Sequence, residues 1–360
     1  MKQVKKLLAL LTAVAMLAAT TACGTSEGST AGDTGTGSAA PAETAAAAET
    51  AATAEAAEGS AAEATGAEGT YTVGICQLVQ HEALDAATEG FKQALTDKLG
   101  DKVKFEEKNA SGDSANCATI INGFVSSNVD LILANATAPL QAAAAATSEI
   151  PVLGTSVTDY ATALDISDWT GTVGTNVSGT SDLAPLDQQA AMIKELFPDA
   201  KTVGLLYCSA EPNSVYQCDT IEGYLKDEGY EVSRYAFTDT NDVSSVTQSA
   251  CDSSDVIYIP TDNTAASNTE AIANVVLPAG VPVVAGEEGI CKGCGVATLS
   301  ISYYDLGYAT GEMAAKILTE GADVSTMPVE FAKNVTKKYN TANCETLGIT
   351  VPDGYEAIAD

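Results

Sequence analysis

Short apolar runs alternate along this chain with longer segments in which apolar positions recur at three- and four-residue steps. From Tyr71 the runs are YTVGICQLV (71–79), VKFEEK (103–108), VDLILA (129–134), IPVLGT (150–155), KTVGLLYC (201–208), YEVSRYAF (230–237), DVIYIP (255–260), VPVVAG (281–286) and VATLSI (296–301). Their length and β-branched content predict strands. HEALDAATEGFKQALTDKLG places Leu84, Ala87, Phe91, Ala94, Leu95 and Leu99 on one face and predicts a helix that stops at Gly100. Similar helix-compatible stretches separate most of the strands, which predicts βαβ units and parallel sheets covered on both faces.

The pattern occurs twice, from Tyr71 to Thr155 and again from Lys201 to Gly286. It predicts an α/β protein of two similar lobes, each a parallel sheet flanked by helices. The polar stretch TVGTNVSGTSDLAP (172–185) suits a crossing between lobes, and further crossings are expected near Ser300–Tyr304 and Met327–Phe331. The first lobe is then 71–180 with 302–327, and the second is 181–301 with 328–360. Several such strands make a hinge that lets the lobes close on a small ligand.

The chain opens differently. Residues 1–22 have a basic start, an apolar run from Leu7 to Ala19 and a small-residue exit, the build of a secretory signal. The run is too short to span a bilayer permanently. Cys23 follows Thr20-Thr21-Ala22, an arrangement that resembles the lipobox of bacterial lipoproteins, with Thr20 where Leu is usual. That resemblance implies lipidation of Cys23; the alternative is an ordinary signal followed by a stray cysteine. The stretch up to residue 70 contains Ala, Thr, Gly, Ser, a single Pro and eight acids, with no Lys, Arg or aromatic residue. It has almost nothing to bury and is expected to be a disordered tether with a reach of roughly 35–40 Å. An exported protein anchored by lipid at the outer face of the bacterial cytoplasmic membrane is the expectation.

Charge and composition narrow the classes. With 17 Lys+Arg against 48 Asp+Glu the formal charge is −31, which argues against nucleic acid as a partner. One arginine, Arg234, and one histidine, His81, exclude an arginine clamp on phosphate and a two-histidine metal site. No metal or cofactor is expected. The chain has no GxSxG elbow, P-loop or HExxH, and its acids are too dispersed to single out a catalytic pair. The expectation is a binding protein without enzymatic activity.

In parallel α/β sheets ligands collect at the carboxyl ends of strands, where helix N-termini also converge. Those ends here carry small hydroxyl, amide and acidic groups: Gln80-His81, Ala136 to Ala138, Ser156 to Thr158, Ser209 to Ser214, Thr261 to Asn263 and Gly286 to Glu288. Cys291-Lys-Gly-Cys294, read as a turn, admits a local disulfide, a redox pair or half of a zinc site, with free thiols as a further reading, and the disulfide is favoured because imidazole partners are lacking. Cys208 and Cys218 are a second possible pair.

Particular stretches resemble a known family. QLVQHEALDAATEGF (77–91), VDLILANATAPLQAA (129–143), GTSDLAP (179–185), SAEPNSVYQ (209–217), DVIYIPTDNTAAS (255–267), VPVVAGEEG (281–289), YYDLGYATGEMAAKIL (303–318) and TMPVEF (326–331) are similar to ABC-transporter substrate-binding proteins of the tryptophan/tyrosine type. The resemblance implies a type I periplasmic-binding-protein fold. It also implies a monomer that delivers an aromatic amino acid to a permease and its ATPase. A sugar or nucleoside binder, or a lipid-anchored sensory module, is the alternative.

An amino acid needs donors for its carboxylate and acceptors for its ammonium. Thr137, Ala138 (through its backbone), Ser156 and Thr158 are candidates for the carboxylate, or caps of helices. Asp262 and Glu288 are candidates for the ammonium, with Asp182 as a third; Asp262 and Asp182 can equally cap helices. Asn213, Ser214 and Asn263 offer polar contacts from the second lobe. His81, a position the resemblance includes, is expected to line the side-chain pocket.

Overall fold

The computed structural model describes residues 69–359. The expectations for the leader, Cys23 and most of the tether lie outside the described residues.

The first set of elements is β1 (Tyr71–Gln77), α1 (Glu82–Leu99), β2 (Val103–Asn109), α2 (Ser114–Ser126), β3 (Leu131–Asn135), α3 (Thr137–Ala146), β4 (Val152–Val157), α4 (Tyr160–Ala163) and β5 (Val177–Ser181). The second is α5 (Leu186–Leu196), β6 (Thr202–Cys208), α6 (Pro212–Asp227), β7 (Glu231–Phe237), α7 (Val243–Cys251), β8 (Val256–Ile259), α8 (Asn263–Ala266), α9 (Thr269–Ala279), β9 (Val283–Ala285), α10 (Glu288–Cys294) and β10 (Ala297–Ser300). The chain ends with α11 (Tyr303–Glu320), β11 (Glu330–Phe331), β12 (Thr336–Tyr339), α12 (Thr341–Leu347) and β13 (Glu356–Ala357). Each of the nine apolar runs contains a strand.

Two sheets result, in the orders β11-β5-β4-β3-β1-β2 and β13-β12-β10-β9-β8-β6-β7. The first is parallel throughout. The second is parallel except that β12 runs antiparallel to β10 and carries β13 beside it. Both faces of each sheet are covered, as continuous apolar strands require. In the first lobe Val73 and Ile75 pack with Phe91, Leu95 and Met313, while Cys76 and Ile132 on the other face meet Ile121, Phe124 and Leu140. The second lobe repeats this with Leu205 and Tyr258 against Ile193 and Ile221, and Leu206 and Ile257 against Ile272 and Val276.

The chain passes between sheets after β5, after β10 and after β11. The first sheet thereby takes in Glu330–Phe331, which pairs with Thr180 and Ser181, beyond the limit at 327 expected from the pattern. The third passage is correspondingly later than Phe331. β5 itself was expected only as a crossing, because VSGTS has no apolar alternation. It is a strand because each polar side chain is satisfied: Ser178 donates to the Met327 carbonyl at 2.9 Å, Thr180 meets the Thr310 hydroxyl at 2.8 Å and Ser181 donates to the Thr158 carbonyl at 2.8 Å.

Helix α11 returns to the first lobe and lies directly on α1. Glycines permit the approach: a Cβ on Gly307 would stand 1.9 Å from the Ala87 carbonyl oxygen, and one on Gly90 would stand 2.1 Å from that of Tyr304. This contact sets Tyr303, the first residue of α11, at the junction of the two lobes.

Candidate functional site

The carboxyl ends of both sheets face each other, and their loops meet in a cleft lined by His81, Leu84, Ser156, Thr158, Asp182, Asn213, Thr261, Asp262, Asn263, Ala266, Glu287 and Tyr303. The enclosed space is about 10 Å³, the size of a single water position. The lobes therefore stand closed, and a molecule as large as an amino acid enters only as they part. Two contacts bridge the rim: His81 Nε2 lies 3.2 Å from Asn263 Oδ1, and Lys292 Nζ lies 3.7 Å from a Glu82 carboxylate oxygen. Larger hollows of about 450 and 470 Å³ occur along α1 and β2 and behind the hinge, outside this cleft.

The first-lobe wall is built by a bend at the end of β4. Its register with β5 shifts between Gly154 and Val157, and Ser156 adopts a φ of 55°, a left-handed conformation that is uncommon for a residue with a Cβ. The bend leaves the Ser156 hydroxyl buried without a hydrogen-bond partner. Asp182, just past β5, is 3% exposed. Its Oδ2 accepts from the Tyr303 hydroxyl at 2.9 Å, whereas its Oδ1 has no partner. Burial raises the Asp182 carboxyl above its ordinary range, against the pull of the Tyr303 and Thr158 hydroxyls. A buried serine hydroxyl and a buried carboxylate oxygen without partners are costly in isolation, and together they offer a donor and an acceptor to one small zwitterion.

The second-lobe wall is made of helix starts. Asp262 caps α8 through Oδ1 to the Ala265 N–H at 2.8 Å, and its Oδ2 accepts from the Cys208 N–H at 2.6 Å. Burial, then the neighbouring Glu211, pushes its carboxyl up to about 8. Glu287 caps α10 by accepting from the Gly289 N–H at 2.7 Å and from the Ile290 N–H, and burial pushes it up to about 7. His81 opens α1 without capping it; burial lowers its imidazole, while Asn263, Glu211 and Asp85 oppose that shift.

Of the residues singled out from sequence, His81, Ser156, Thr158, Asp182, Asn213, Asp262 and Asn263 converge on the cleft. Ser214 is fully buried behind Asn213. Thr137 and Ala138 begin α3 and are not among the lining residues. Glu288 requires correction: it pairs with Lys338 at 2.5 Å on α10, and its neighbour Glu287 is the acid that faces the cleft. One residue of helical rotation separates the two, since the cap position points back toward the strand end and the first helical position points away. Leu84, Ala266 and Tyr303 were missed, and Thr261 and Glu287, though named among the strand-end residues, were given no role. Tyr303 stood in the recognisable YYDLGYATG stretch, but nothing in that stretch indicated that its hydroxyl reaches Asp182, 121 residues earlier.

The cysteine expectations are also corrected. Cys291 and Cys294 are free and buried, and so are Cys208 and Cys218. CKGC forms the last turn of α10 rather than a loop; the Cys294 thiol donates to the Ile290 carbonyl at 3.3 Å, and burial raises both thiols above their usual range. Among the described residues no group of His, Cys, Asp and Glu is placed to hold a metal ion, and no helix is long and apolar enough to cross a membrane.

Comparison with known proteins places this geometry. The family described as ABC transporter substrate binding protein matches residues 72–360. A tyrosine-binding protein of Clostridioides difficile (strain R20291) is 38% identical over 260 residues, 71% of this chain and 75% of that one. Among solved structures, an ABC domain in complex with L-Trp from Streptococcus pneumoniae is 31% identical; the match covers 80% of this chain and 100% of that one, with a TM-score of 0.76. A ligand-free, open substrate binding protein with adhesive properties from Clostridium difficile is 36% identical over 80% of this chain and 99% of that one, yet its TM-score is 0.62. The better superposition on the less identical protein accords with the closed lobes described above.

Proposed function

Since this chain belongs to the ABC transporter substrate binding protein family, we propose that it captures an aromatic amino acid (tryptophan, tyrosine or phenylalanine) between its lobes and delivers it to a permease. The observation that carries the reading is the buried Oδ1 of Asp182, an acceptor without a partner at the junction of the lobes. A ligand ammonium there gains a carboxylate whose other oxygen Tyr303 already holds in place. The Ser156 hydroxyl, also without a partner and also in the cleft, supplies a donor for the ligand carboxylate. Asp182 thus takes the role first expected for Asp262 or Glu288. Asp262 has both oxygens engaged by backbone N–H groups, and Glu288 is held by Lys338.

In this reading the protein is a non-enzymatic monomer whose Cys23 carries lipid and holds it at the outer face of the cytoplasmic membrane. The tether of residues 24–70 keeps the two lobes free to reach the permease. Ligand contact with both lobes stabilises only the closed arrangement, so closure is a population shift. Calorimetry of the full-length protein in mild detergent against the twenty amino acids, common sugars and nucleosides tests it. Binding of at least one L-aromatic amino acid is expected. Binding only of a sugar or nucleoside would overturn the function, and a Cys23→Ala protein that stays membrane-bound would overturn the anchor.

A further inference from the structure

Glu211 precedes Pro212, the first residue of α6, and its side chain makes no capping bond to that helix. It reaches instead to the start of α8. One carboxylate oxygen accepts from the Asn263 N–H at 3.0 Å, the Asn263 side-chain Nδ2 at 2.7 Å and the Asn213 Nδ2 at 3.1 Å. The other accepts from the Thr264 N–H at 2.8 Å and the Thr264 hydroxyl at 2.7 Å. Five donors converge on one carboxylate that does not itself line the cleft, yet three of those donors belong to Asn213 and Asn263, which do.

A carboxylate only accepts hydrogen bonds, so it fixes which end of each amide it faces. The Asn263 Nδ2 is drawn to Glu211 and its Oδ1 is turned to His81 across the lobes. Asn213 spends its Nδ2 on Glu211, on the Ser214 hydroxyl and on the Thr261 carbonyl at 3.1–3.2 Å. Each amide thus turns its carbonyl oxygen to the cleft, where that of Asn263 meets His81 and that of Asn213 is left for a ligand.

We propose that Glu211 is a positioning residue for ligand recognition: by taking the amide protons of Asn213 and Asn263 it makes the second-lobe wall a set of hydrogen-bond acceptors, matched to a ligand that carries a protonated amine. The proposal rests on the binding function above and deepens it, because it states why an amino acid is preferred over the same molecule without its amino group. With Asn263 Oδ1 as acceptor, His81 must bring its proton on Nε2.

The chain has one histidine, so the imidazole can be read without assignment. Full-length protein without a polyhistidine tag, labelled with ¹⁵N-histidine, is compared with Glu211→Gln and Glu211→Ala. The parent is expected to show the Nε2–H tautomer. In the variants the Asn263 amide is released to present its NH₂ to His81, and the Nδ1–H tautomer appears. In parallel, calorimetry measures the affinity ratio between the bound aromatic amino acid and its des-amino analogue, for tyrosine 3-(4-hydroxyphenyl)propionate. The ratio is expected to fall about tenfold or more in both variants, the scale of a charged hydrogen bond lost or reversed, with the des-amino acid little affected. An unchanged His81 spectrum in both variants overturns the proposal, as does an equal loss for both ligands. If the parent binds no aromatic amino acid, the function above is wrong, and the His81 spectra still decide the role of Glu211.

Discussion

The Tyr303 hydroxyl donates to Oδ2 of Asp182 at 2.9 Å, joining the first turn of α11 to the residue where the chain leaves the first sheet. The bond fixes the carboxylate plane and leaves the opposite oxygen facing the cleft. Replacing Asp182 by Asn should therefore remove the charge opposite the ligand ammonium without removing bulk. Loss of one partner of a buried ion pair costs about 3–5 kcal/mol, a hundredfold or more in Kd. Tyr303→Phe, which loosens the carboxylate but keeps its charge, should cost about 1–2 kcal/mol. Glu288→Ala should leave the affinity unchanged, because Glu288 is paired with Lys338 outside the cleft. Calorimetry with the bound aromatic amino acid checks all three, and an Asp182→Asn protein that binds like the parent would remove Asp182 from the site.

Asp262 and Glu287 predict an unusual pH response in the ligand-free protein. Their carboxyls stand at about 8 and about 7, against 3.8 and 4.5 for ordinary carboxyls. An acid with a raised folded value keeps a proton that the unfolded chain has released. Between about pH 4 and 8 the folded state thus binds more protons, and stability is lost as pH rises. His81 works the other way: its value is lowered from 6.5, so its contribution is lost as pH falls below that point. The window from about pH 6.5 to 8 isolates the acids. The melting temperature should fall with rising pH across it, and Asp262→Asn should flatten the slope. An Asp262→Asn protein with the parental slope would show that the buried cap does not titrate there.

Much of this architecture was legible because parallel strands buried on both faces must be nearly continuous apolar runs, as in DVIYIP and VPVVAG. β5 escaped notice since its Ser178, Thr180 and Ser181 are satisfied by residues as distant as Met327 and Thr310, and no local pattern records such partners. The cleft was half legible. Strand ends point to Ser156 and Asp262, and the crossing stretch GTSDLAP supplied Asp182, but the choice between Glu287 and Glu288 depends on a single position in the start of α10. Glu211 sat within the recognised SAEPNSVYQ stretch without a role, for four of its five donors come from α8, 52 and 53 residues further along.

Gly307 offers a test of how the hinge-side packing supports the site. In a helix interior Gly→Ala ordinarily gains about 1 kcal/mol, and Gly123 and Gly223, with nothing within 4 Å of an added Cβ, should show that gain. At Gly307 the same methyl group would stand 1.9 Å from the backbone oxygen of Ala87. Neither partner is a flexible side chain, so α11 must move off α1. Overpacking of this kind costs about 1–3 kcal/mol, enough to reverse the helix gain and lower the melting temperature by a few degrees. The displacement also carries Tyr303, one turn away, from Asp182. Gly307→Ala should therefore weaken ligand binding while Gly123→Ala and Gly223→Ala do not. Thermal unfolding and calorimetry on the three variants decide it: a Gly307→Ala protein as stable as Gly223→Ala, with parental affinity, would mean that the α1–α11 contact does not set the position of Tyr303.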